Sequence, residues 1–142
     1  YIERYESLEG GRYLVMLRGL CRAAIVEEVV GDQPYRQAML EPIEYPPAEN
    51  EALEEEADRL RIALADPVLE QVEGLEPVRE LFAKPVPTVG IIDLTISTVE
   101  EEPEARYAML SEADARARAE WLLDRLERLR ASMASSSPRR ET

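Results

Sequence analysis

Residues 10–29, "GGRYLVMLRGLCRAAIVEEV", decide how this chain is read. Gly10 and Gly11 separate two runs rich in Tyr, Ile, Leu and Val, "IERYESL" (2–8) and "RYLVMLRGL" (12–20). That is the pattern of a β-hairpin with a glycine turn. In the second run Tyr13, Val15 and Leu17 share one face, with Leu14 and Met16 on the other. Apolar groups on both faces predict a strand covered on both sides. Gly19 interrupts the run and predicts a bulge or a close backbone approach. "CRAAIVEEVV" (21–30) continues as strand, "GDQPY" (31–35) turns the chain, and "YRQAMLEPIEY" (35–45) makes another strand ended by Pro46 and Pro47. Two-stranded ribbons are marginal alone. The set therefore reads as part of an antiparallel sheet or barrel with at least one free edge, its first strands pairing with chain expected upstream of Tyr1.

From Ala48 the period becomes helical. Leu53, Ala57, Leu60 and Leu64 form one stripe. Asp66 and Pro67 predict an N-cap with proline at the first helical position, and Gly74 the end of that short helix. "EPVRELFAK" (76–84) is a further short helix, stopped by Pro85 and Pro87. "PTVGIIDLTISTVE" (87–100) is ambiguous. Ile92, Leu94 and Ile96 alternate with Asp93, Thr95 and Ser97 as in a strand, whereas Val89, Ile92, Ile96 and Val99 make a helical stripe. Propensity leans to strand.

The last element carries a long stripe of Ala115, Ala119, Leu122, Leu126, Leu129 and Met133. Ser111 with Asp114 predicts a capping box at its start, and Glu112–Arg116, Asp114–Arg118 and Asp124–Arg128 predict i,i+4 pairs on its outer face. It is expected to end near Ala131, leaving "ASSSPRRET" (134–142) as a disordered tail. Strands first and helices second predict an α+β protein: a β-rich portion over 1–47, a helical bundle over 48–132 and a tail over 133–142.

Charge and composition exclude several functions. The formal net charge of -13 repels nucleic acid phosphates and anionic lipid, so neither is an expected partner. Thirteen acids face three arginines between Glu41 and Glu80, a stretch that reads as a solvated helix face or an acidic surface for a basic partner. No apolar run reaches the roughly 18 residues of a membrane span. Cys21 is the single cysteine, so there is no disulfide framework, and the expected location is cytoplasmic. Histidine is absent, which removes the commonest general base and metal ligand together.

No phosphate-binding loop occurs, and "GGR" (10–12) lacks dinucleotide spacing. Lys84 is the only lysine and has no obvious serine partner. Cys21 beside Arg22 reads as a small buried hydrophobe more readily than as a nucleophile. Glu54–Glu56 and Glu100–Glu102 are consecutive, so they fan out around a helix and read as solvated charge, with no cation site. Trp121 beside the last stripe reads as packing against neighbouring helices, with a partner anchor as the other reading. The sequence predicts no catalytic residue, cofactor or metal, and no enzyme.

Three separated pieces occur in order: Gly11, Arg12 and Tyr13; Gly19, Cys21 and Arg22; Pro34, Tyr35 and Arg36. Together they resemble the substrate-binding domain at the N-terminus of Lon proteases, which small stand-alone bacterial proteins also carry. The resemblance implies a PUA-like β-domain beside a helical bundle, and it tips residues 87–99 toward helix. It also implies recognition of unfolded or tagged polypeptide substrates, or of partner proteins, because peptidase and ATPase activities in Lon belong to later domains. Ala23 and Ala24 depart from the family's aromatic and polar pair, and the family's opening segment is missing. No contact residue is singled out. Two alternatives stand beside this reading: a structural or oligomerisation module seamed along Ala115–Met133, and the N-terminal piece of a full-length ATP-dependent Lon. The polar tail favours a stand-alone protein.

Overall fold

A computed structural model of the chain describes residues 1–43 and 53–136. The chain divides into two compact units, Tyr1–Glu44 and Tyr45–Thr142. The expected end of the β region at Pro46 and Pro47, the onset of helix at Ala48 and the tail over 137–142 lie outside the described residues.

The first unit holds strands β1 (Ile2–Leu8), β2 (Arg12–Leu17), β3 (Arg22–Val29) and β4 (Gln37–Ile43). β1 pairs antiparallel with β2, and β3 with β4, as two separate two-stranded sheets. Gly10 and Gly11 turn the first hairpin at φ +78° and +71°, a pair of left-handed positions that glycine occupies without strain. Leu8 therefore faces Arg12, Ser7 faces Tyr13, and Tyr5 faces Val15. The rings of Tyr5 and Tyr13 meet edge to face at 6.2 Å. At the open end, Tyr1 and Arg18 exchange backbone hydrogen bonds of 2.8 and 3.1 Å. Glu28 and Arg36 form a forked ion pair beside the second hairpin, and the guanidinium holds the Glu28 carboxyl below its ordinary range.

Two expectations for β2 and the residues just after it fail. Gly19 makes neither a bulge nor a close approach: it follows β2, and a Cβ there would meet nothing within 4 Å. The register shifts fall instead between Ile2 and Arg4 and between Ile25 and Glu27. β2 is not covered on both sides either; all six of its residues are exposed. A ribbon two strands wide has no second layer to bury its faces.

The second unit holds α1 (Glu54–Leu64), a 3-10 turn (Leu69–Gln71), α2 (Leu75–Leu81), α3 (Thr88–Val99), α4 (Pro103–Ser111) and α5 (Ala115–Ser136). Its core brings the predicted stripes together with Leu69, Leu75, Val78 and Ile91, which belong to none of them. Leu53, Leu60 and Leu64 from the first stripe meet Ala115, Ala119, Leu122 and Leu126 from the last. Trp121, Leu129 and Met133 pack partly buried against them. α1 and α3 both lie on α5, and α2 lies on α3.

Local chemistry explains the departures here. Asp66 does not start an α-helix; its Oδ1 accepts the Val68 N–H at 2.8 Å, a tight turn that leads only into the 3-10 turn. Gly74, at φ +85°, stands at the N-cap of α2. Residues 88–99 are helical, against their propensity: Ile91, Ile92, Thr95, Ile96 and Val99 are buried, while Leu94 is 43% exposed. Alternation would have buried Leu94 and exposed Thr95. Ser111 does not cap the last helix, because it ends α4 and donates to the Tyr107 carbonyl. Asp114 alone is the cap, its Oδ1 accepting the N–H groups of Arg116 at 2.8 Å and Ala117 at 3.4 Å. α5 then runs through Ser136, past the end expected near Ala131.

Candidate functional site

The strands of the first unit carry the apolar surface that its fold leaves open. Each of the four has one ladder partner, so each has an edge with no strand beside it among the described residues. Tyr5, Tyr13, Leu14, Met16 and Leu17 are exposed on the first hairpin, and Ile25, Val26, Met39 and Leu40 on the second. Arg4 lies opposite Met16 and Glu6 opposite Leu14, and these four line an open groove of about 350 Å³. Unpaired N–H and C=O groups along such an edge accept an extended chain, and the alternating faces receive every second side chain. Cys21, expected to be buried, is exposed beside this surface at the start of β3. Nothing in a two-stranded ribbon encloses it. The three sequence pieces Gly11–Tyr13, Gly19–Arg22 and Pro34–Arg36 all fall in this unit, at strand starts and turns.

The helical unit concentrates its charge in structural pairs. Glu56, read from sequence as solvated, is 1% exposed, and its Oε1 takes Arg116 at 2.6 Å. Arg118, placed from sequence on the outer face with Asp114, turns inward and is fully buried. It donates to Asp93 at 3.0 Å and to the carbonyls of Glu112 and Ala113 at 2.9 and 3.1 Å. Asp124–Arg128, another expected outer pair, forms. Lys84 has Glu80 as its partner, at 3.5 Å. Among the described residues no three His, Cys, Asp or Glu side chains gather as a metal site, and no helix is long and apolar enough to cross a membrane.

Glu100 is the second buried acid, at 4% exposure. The Glu102 N–H donates to its Oε1 at 3.0 Å and Arg125 donates to its Oε2 at 2.9 Å. The backbone bond chiefly, then Arg125, holds this carboxyl below the ordinary carboxylate range. A depressed folded pKa gives stability that is present above the unfolded value and is lost as pH falls through the folded one. Glu100→Gln should therefore cost about 1–2 kcal/mol in urea unfolding at pH 7, with the gap to wild type closing toward pH 3. A gap that stays constant with pH would show that the carboxylate charge has no part in it.

The seam that an oligomerisation module would need is occupied: Ala115, Ala119, Leu122 and Leu126 are buried inside their own unit. A family model, that of the ATP-dependent protease La (LON) substrate-binding domain, matches residues 1–128. No curated protein and no solved structure matches the chain.

Proposed function

The chain belongs to the Lon substrate-binding domain family, and from that premise we propose that it is a non-catalytic module that holds polypeptide substrates or partner proteins against its β unit. One observation carries the reading: the described strands combine open ladder edges with exposed Tyr, Leu, Met and Ile side chains. Main-chain hydrogen bonding gives affinity without demanding a particular sequence, which suits a domain that meets many extended chains. The chemistry of the chain supports the same view. It has no histidine, its one lysine is paired with Glu80, and Glu56 and Glu100, the buried acids among the described residues, pair with arginines. The reading carries with it a cytoplasmic setting and no partnership with nucleic acid.

Cys21 supplies the test, as the single thiol of the chain and an exposed one. A photo-crosslinker attached there should label reduced, carboxymethylated protein held permanently unfolded, and should leave the same protein unlabelled when native. Replacing Tyr13 and Leu14 together by serine should lower the yield about fivefold or more. Labelling no stronger than that of a free crosslinker–cysteine adduct would end this reading.

A further inference from the structure

We propose that the groove between α1 and α5 is a second docking site, for a polypeptide segment with large apolar side chains flanked by lysine or arginine. The inference lies in the helical unit and goes beyond the strand-edge reading. Leu69, Leu123 and Leu126 form an apolar floor in an open groove of about 380 Å³. Ile62 stands on its lip with 74% of its surface exposed, a large aliphatic group that α1 does not bury. A groove of that size receives one or two side chains and leaves the rest of a bound segment along the rim.

The rim decides what flanks those side chains. Arg59 forks onto Glu120, with Nη2 3.0 Å from Oε2, and Arg130 forks onto Glu127 at 2.6 and 3.1 Å while lying 3.7 Å from Asp66. Both guanidiniums are thus already engaged by carboxylates, and three acids face two cations. Residues 53–136 carry nineteen acids against ten Lys and Arg, so the field around the groove is negative. An acidic segment or a phosphate meets repulsion from this field while both rim guanidiniums are engaged, whereas a cationic flank is drawn to it and reaches Asp66 Oδ2, which lies 3.7 Å from Arg130, and the remaining lone pairs of Glu127 and Glu120.

The test uses the whole chain and a short fluorescein-labelled peptide with two central leucines flanked on each side by lysines. Its counterpart has glutamates in place of the lysines. Fluorescence anisotropy at low salt should show the lysine peptide binding about tenfold tighter or better, with the ratio shrinking as salt is added. Ile62→Ser should weaken the lysine peptide about tenfold, because one fully buried aliphatic group is lost from the complex. The melting temperature should stay unchanged, since Ile62 is already in water, and crosslinking from Cys21 should persist in this variant. Persistence separates the two sites, so either reading can fail alone. Equal binding by Ile62→Ser and wild type would overturn the proposal, as would no binding of the lysine peptide. A dimer in light scattering that Ile62→Ser dissolves would assign the groove to a second copy instead. A chain ending at Ser136 that binds the lysine peptide far more tightly would assign it to residues 137–142, which carry Arg139 and Arg140.

Discussion

Arg118→Ala is expected to lower the unfolding free energy by about 3–5 kcal/mol, measured as a shift of the urea midpoint of the helical signal at unchanged slope. Three losses combine. The side chain is fully buried, so its aliphatic stem leaves a cavity beside the stripe of α5. The carbonyls of Glu112 and Ala113 lose their donor in the turn that starts α5. Asp93 loses its ionic partner, although its side chain is 32% exposed and water recovers part of that cost. Arg118→Lys should rescue less than half, because an ammonium is a point charge and cannot reach acceptors fanned around a planar fork. Asp93→Asn should cost distinctly less than Arg118→Ala, since it leaves both carbonyl bonds in place. An Arg118→Ala cost under about 1 kcal/mol would mean that the guanidinium is hydrated in solution.

That arginine also marks where the sequence stops being legible. The hairpins were readable because turn residues and runs rich in Tyr, Ile, Leu and Val are local signals, and α1 and α5 because their apolar residues repeat at helical spacing. Residues 88–99 misled propensity for a physical reason. Ile, Val and Thr dominate there, yet Thr95 is buried with its hydroxyl bonded to the Ile91 carbonyl at 2.6 Å, a solution only a helix offers. The stripe of Val89, Ile92, Ile96 and Val99 offered the helix as the other reading, and the family resemblance, not propensity, pointed to it. α4 buries none of its nine residues, so it has no stripe to find; Pro103 at its first position was the one available signal. Glu56 and Glu100 sit in runs of glutamate that read as solvated. Arg116 and Arg125 reach them from α5, far along the chain, and Glu100 is held by the Glu102 N–H besides. Long-range ion pairs leave no local trace. The same holds for the groove: its floor comes from α5 and the 3-10 turn, its lip from α1, and no short stretch contains both.

Leu122→Ala is expected to cost about 2–5 kcal/mol, and Ile62→Ala less than about 0.5 kcal/mol. Both remove branched aliphatic carbon from a helix of the same unit, so intrinsic propensity nearly cancels between them. Burial separates the two: Leu122 is fully enclosed among the stripes of α1, α3 and α5, whereas Ile62 already stands in water. Domains of this size hold on the order of 5–15 kcal/mol in total, so the Leu122 change removes a large share of the stability of the helical unit. The cost should sit at the upper end of its range, because Leu122 lies mid-helix with Ala119 and Leu126 buried beside it, where collapse of neighbouring side chains is hard. Equal costs at the two positions would contradict the packing of α5 on α1. They would also remove the reason for treating Ile62 as a side chain held ready for a partner.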